Sequence, residues 1–141
     1  MREIKFRALK DDMSNCVWVY GDLFYEGDTP RIKENRNNDL YSTCLKGTEG
    51  QYIGLKDKNG KEIFEGDIVQ YEKGTEIENE KRKIIFLKVE WVEWSGYMGY
   101  VLMKGRIRIK FDRNIRYNHN VVVVGNIYEN PDLLIQKIKG E

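Results

Sequence analysis

The chain has 141 residues, 40% of them hydrophobic and 12% aromatic, including nine Tyr and three Trp, which is too apolar for disorder despite 33% charged residues. A formal net charge of +1 gives no global attraction to nucleic acid or anionic membrane, so any such attraction has to be local. Two Cys and one His make neither a disulfide framework nor a zinc site, no apolar run approaches the roughly 20 residues of a membrane span, and the first residues carry no apolar signal segment, so a cytoplasmic protein is expected.

Taken in order, residues 2–9 alternate, with Ile4, Phe6 and Ala8 on one face and Glu3, Lys5 and Arg7 on the other, the period of a half-buried strand. Asp11 to Asn15 is a turn cluster. Residues 16–25 return as a second strand with Val17, Val19, Leu23 and Phe24 toward the core and Gly21 marking a bulge or bend. Gly27-Asp28-Thr29-Pro30 breaks the pattern, 31–39 reads as a polar loop or short exposed strand, and 40–46 suits a strand again.

The central stretch, residues 51–71, is the most patterned part of the chain. Asn59-Gly60 lies between charged flanks, and both residues tolerate the positive φ of a type I′ hairpin turn. Gly66-Asp67 is a second turn signal that feeds the β-branched run Ile68-Val69. Residues 72–82 are Glu-rich without an apolar stripe and read as a hairpin loop. Residues 83–94 form the longest strand, and 97–103 pair back across Ser95-Gly96. In 104–116, Ile107, Ile109 and Phe111 alternate with Arg106, Arg108 and Lys110. Residues 121–128 are a β-branched strand expected at the centre of a sheet, and Asn130-Pro131-Asp132 is a helix start that directs Leu133, Leu134 and Ile138 inward. The expected architecture is mainly β: antiparallel strands in a small curled SH3-like barrel or sandwich, with an N-terminal hairpin and a short C-terminal α-helix. It is expected as one domain over 1–141, with 1–50 and 51–141 as its substructure.

The run Gly54-Leu55-Lys56-Asp57-Lys58-Asn59-Gly60-Lys61-Glu62-Ile63-Phe64-Glu65-Gly66-Asp67-Ile68-Val69 resembles the central signature of the YopX-like proteins of phages and prophages in low-GC Gram-positive bacteria. Arg2 to Ala8 is similar to that family's opening and Val124 to Leu134 to its ending; Leu9 stands where family members usually have Trp. The resemblance implies a small phage-encoded cytoplasmic protein, self-associating, with no established biochemical activity and therefore no catalytic residues to transfer.

Two constellations stand out beside it. Lys104, Arg106, Arg108, Lys110, Arg113 and Arg116 are concentrated in one hairpin with Asp112 as their only acid, and alternate residues of a strand project together at about 7 Å. Such a row can track phosphates, with Tyr97, Tyr100 or Tyr117 as stacking faces, meet an acidic protein surface or a sister subunit, or simply face solvent. Trp91, Trp94, Tyr97 and Tyr100 form an aromatic cluster suited to core packing or to an interface. His119, between two Asn, has no partner motif for acid–base work, and Asp57, Glu62, Glu65 and Asp67 fall at turn positions. The expectation is a non-enzymatic, homo-oligomeric protein-interaction module for a host or phage protein, without metal, cofactor or membrane. The alternative is a nucleic-acid-binding barrel using strand 104–116.

Overall fold

The computed structural model describes residues 3–12, 17–73, 83–94, 96–111 and 121–135. They form two antiparallel sheets and fall into two compact units, Met1–Gly54 and Leu55–Glu141. The first sheet has the order β4-β3-β2-β1-β5-β6 and the second β10-β9-β8-β7-β11; each ends in two edges, so the strands make no closed barrel.

In the first unit, β1 (Phe6–Leu9) lies between β2 (Trp18–Glu26) and β5 (Gly50–Lys56), while β3 (Thr29–Lys33) and β4 (Ser42–Thr43) continue the sheet. Ala8, opposite Val19, closes a small core with Ile32 and Cys44, against which Phe6 and Leu23 pack. Cys44 is a free thiol, and burial pushes its pKa up, away from the reactive thiolate. The successive residues Arg7, Ala8 and Leu9 are all buried, so β1 is covered on both faces and its alternation does not divide core from solvent. Arg7 is only 5% exposed, its guanidinium 4.3 Å from the Trp18 ring centroid, and Leu9 on the same side is also buried. Ile4, expected inside, is exposed just ahead of the strand.

Gly21 makes no register shift. It is where β2 stops pairing with β1 and starts pairing with β3, and a Cβ there would stand 2.3 Å from the Lys33 carbonyl oxygen. Val17 precedes β2 and is exposed, and Phe24 points to the face opposite Leu23, where it meets Tyr41 edge-on. Pro30 does not break the chain: the turn is Gly27-Asp28, Glu26 pairs with Thr29, and Pro30 sits buried inside β3 with its carbonyl accepting from the Cys44 N–H.

The second unit begins with the end of β5 and the turn into β6 (Glu62–Phe64), followed by β7 (Asp67–Lys73), β8 (Lys83–Trp94), β9 (Tyr97–Lys104), β10 (Ile107–Lys110) and β11 (Val121–Asn126). Ile68 and Val69, successive and therefore on opposite faces, are both fully buried, so β7 is covered on both sides. The Asn59-Gly60 turn differs from a two-residue type I′ turn. The Gly60 N–H donates to the Asp57 carbonyl and the Asp57 N–H to the Lys61 carbonyl, which makes a three-residue loop with Gly60 left-handed at φ 83°.

The Asp57 side chain is the reason. One carboxylate oxygen accepts from the Asn59 N–H at 2.8 Å and the Lys61 N–H at 2.9 Å, and the other from the Val123 N–H at 2.8 Å. The Lys58 N–H donates to the Val121 carbonyl at 2.9 Å, so the hairpin also seals the outer edge of β11. Asp67, 1% exposed, accepts from the Phe64 N–H at 2.8 Å across the second turn. Between them Gly66, at φ 86°, donates to Val89 and accepts from Ile127, and a Cβ there would press on the Tyr128 ring at 3.2 Å.

The expected C-terminal α-helix is a 3-10 helix, Pro131–Ile135, with the Leu133 N–H donating to the Asn130 carbonyl. Asn130 does not cap it, because its side-chain oxygen accepts from the Asn126 N–H at 3.2 Å, behind the helix start. Leu133 and Leu134 are half-buried, and Ile138 lies outside the described residues, as do Cys16, most of the Glu-rich 72–82 stretch and His119.

Asparagine at position 57 has one acceptor where the carboxylate has two, so its amide must face either the turn or Val123 as donor against donor. Asp57→Asn is therefore expected to cost about 1–3 kcal/mol, and Asp57→Ala, which strands all three N–H groups, more. Urea unfolding monitored by tryptophan fluorescence measures both; wild-type stability in Asp57→Asn would contradict the role given to this carboxylate in joining the turn to Val123.

Candidate interaction surface on strands β8 to β10

Cross-strand register decides which side chains meet. Val89 faces Leu102 and Trp91 faces Tyr100 on β9, and Leu102 in turn faces Ile109 on β10. Facing residues share a side of the sheet. One side therefore carries Leu87, Val89, Trp91, Tyr100, Leu102 and Ile109, and the other carries Lys88, Glu90, Val92, Tyr97, Met103, Arg108 and Lys110.

The aromatic cluster expected from the sequence is thus divided. Trp91 and Tyr100 meet edge-to-face, centroids 5.0 Å apart at 74°, and the Trp91 indole N–H donates to Glu93 at 3.3 Å. Tyr97 lies on the opposite side, and of Trp94 the strand pairing with Tyr97 is described but not the side chain. Along the first side burial fades toward the hairpin end. Leu87, Val89 and Leu102 are buried, whereas Trp91 is 40% exposed and Met98, opposite Glu93, 67% exposed.

The basic row also changes. Lys104 faces Ile107 across the turn Gly105-Arg106, which puts it on the side away from Arg108 and Lys110. Counting alternate residues through a turn as though the strand continued would group it wrongly. Arg108 and Lys110 are exposed on one side of β10, with Arg106 exposed in the turn beside them; Arg113, Arg116 and Tyr117 lie outside the described residues.

Arg108 is steadied by its own turn, one terminal nitrogen donating to the Gly105 carbonyl and to the Ile107 carbonyl. The Lys110 ammonium stands 4.4 Å from the Tyr97 ring centroid. That ring lies over Gly99, where a Cβ would come 2.8 Å from its hydroxyl, and the hydroxyl donates to the Tyr100 carbonyl at 3.1 Å. A cleft of about 540 Å³ opens beside this row, lined by Val92, Glu93, Met103, Arg106 and Arg108.

Of the acidic residues of the central stretch, Asp57 and Asp67 are buried and engaged by backbone N–H groups. Among the described residues no three of His, Cys, Asp and Glu come together as a metal ion would require, and no helix is long and apolar enough to cross a membrane. The first unit has a surface group that the alternation of its strands did not single out. Arg31 stands 4.7 Å from the Tyr41 ring, which meets Phe24, while Arg36 closes on Asp22 through two bonds of 2.8 and 3.1 Å and lowers its carboxyl pKa. The spacing Asp22 to Arg36 has no local signature, since the pairing of β2 with β3 and the turn that follows β3 together bring the two side chains into contact.

A family model described as YopX protein matches residues 5–135. Among solved structures, the crystal structure of protein EF1440 from Enterococcus faecalis is similar over 95% of this chain and 99% of that chain, with 26% identity and a TM-score of 0.47. No curated protein matches the chain.

Because the atom in the way at Gly99 is the far end of a flexible side chain, Gly99→Ala is expected to fold and to swing Tyr97 off the strand, at a cost of about 1 kcal/mol. The Lys110 methylene protons, shifted upfield by the ring in the wild type, would return to ordinary positions in the NMR spectrum. Shifts that persist in Gly99→Ala would contradict this placement of the ring.

Proposed function

The chain belongs to the YopX protein family, and on that premise we propose that it acts by protein contact, as a non-enzymatic, self-associating interaction module of a phage or prophage working in the host cytoplasm. The observation that supports this is the end of the β8–β9 hairpin. There the side of the sheet that is buried at Leu87, Val89 and Leu102 carries Trp91 and Met98 into solvent, with Tyr100 packed against the indole. Exposed Trp and Met continuous with a buried apolar face is the composition of an interface centre.

Nucleic-acid binding is supported less well by the same geometry. A single-strand track combines cations with open aromatic faces. Here Trp91 and Tyr100 lie on the opposite side of the sheet from Arg108 and Lys110, and Tyr97, on the same side, has Lys110 over its ring.

Sedimentation velocity over a concentration series tests the proposal. The wild type is expected to assemble reversibly, and Trp91→Asp to weaken assembly by about 2 kcal/mol or more, the scale of a central interface residue. A wild type that stays monomeric throughout, or a Trp91→Asp variant that assembles equally well, would overturn it.

A further inference from the structure

The second sheet treats its two edges differently. At β11 the outward backbone groups of Val121 and Val123 are taken by the Lys58 N–H and the Asp57 carboxylate. At β10, among the described residues, the one group other than β9 that bonds to the backbone is the side chain of Arg108, on the Ile107 carbonyl. An open strand edge is a template for another strand, whose backbone supplies the missing partners.

The side chains say which strand. Arg108 and Lys110, two residues apart on one side of β10, project at about 7 Å spacing. No carboxylate among the described residues pairs with either of them or with Arg106. The nearby acids are otherwise engaged, Glu90 with Lys88 at 3.0 Å and Glu93 with the Trp91 indole. A strand added at this edge places its own side chains directly opposite those of β10. A second copy of β10 would set Arg and Lys against Arg and Lys, which is repulsive. Acids at alternate positions would instead meet both cations, and a third acid beyond them would reach Arg106 at the mouth of the cleft over Val92 and Met103.

Resting on the protein-contact reading, we infer that β10 captures an extended acidic segment of a partner protein by strand addition, reading acidic residues at every second position through Arg108 and Lys110 and a flanking acid through Arg106. The partner edge is distinct from the Trp91 end proposed for self-association, and it faces a different chemistry.

The probe is a fluorescein-labelled peptide of alternating Glu and Thr, about ten residues long, the upper end of strand length, with fluorescence anisotropy as the readout. Three comparison ligands share its length: a block isomer with all Glu followed by all Thr, the alternating peptide N-methylated at every second amide, and a labelled oligothymidylate. The alternating peptide is expected to bind about tenfold or more tightly than the block isomer and the N-methylated form, and the exposed-surface variant Arg108→Glu/Lys110→Glu to lose at least as much. Equal affinity for the block isomer or the N-methylated peptide, no binding of the alternating peptide, or tighter binding of oligothymidylate would each overturn the inference. Sedimentation of the same samples separates the two proposals. Failure of the peptide while Trp91→Asp still disrupts assembly refutes strand capture alone, whereas indifference of assembly to Trp91→Asp refutes the self-association reading.

Discussion

One carboxylate holds the second unit's layout together. Asp57 receives three backbone N–H groups, two from its own turn and one from Val123, a residue 66 positions further along the chain. A buried N–H left without a partner costs more than a typical hydrogen bond contributes. The turn that follows β5 and the strand that closes the second sheet are therefore tied to the same side chain, and neither can be rebuilt without disturbing the other. Gly66 works in the same way with backbone alone, its N–H on Val89 and its carbonyl on Ile127, in a conformation that a side chain would strain. The run from Gly54 to Val69 concentrates acids and glycines because its backbone has to be satisfied at close quarters.

This accounts for what could and could not be seen in the residues themselves. Alternation located most strands, because a pleated strand with one buried face must alternate. It failed in particular places for particular reasons. In β1 both faces of the strand are buried, and Arg7, an apparent solvent residue, lies under cover against Trp18. At Gly105-Arg106 a turn inverts the parity of the count, and Lys104 leaves the row to which its position in the sequence assigns it. Asn59-Gly60 was correctly a turn, but its type was decided by a carboxylate two residues upstream. At the C-terminus Asn130 had the right identity for a helix cap and was held by Asn126 instead. In each case the residue types were informative and their partners, which are distant or across a turn, were not.

The exposed features of the second unit follow from the same pairing. Beyond Lys88, β8 pairs with β9 and no longer with β7, so the hairpin runs on past the rest of the sheet, and it is there that Trp91 and Met98 are exposed. On the other side Tyr97 is laid flat by the absence of a side chain at Gly99 and holds Lys110 in place. Aromatics adjacent in sequence thus serve two surfaces with different physics, one apolar and one cationic.

The two edges of that sheet make the sharper point. An unprotected edge invites any extended chain, and a sheet can answer by covering the edge or by charging it. β11 is covered, through Asp57 and Lys58, by a turn that the fold already needs. β10 is charged, by Arg108 and Lys110 with Arg106 beside them. Covering excludes every partner alike, but charging discriminates. Cations at alternate positions repel a basic strand and give a neutral strand nothing for the desolvation they suffer, while a strand with acids in the same period meets an opposite charge at each one. The residues that prevent indiscriminate pairing at β10 are the same ones that would select an acidic segment there, so protection and recognition need no separate machinery.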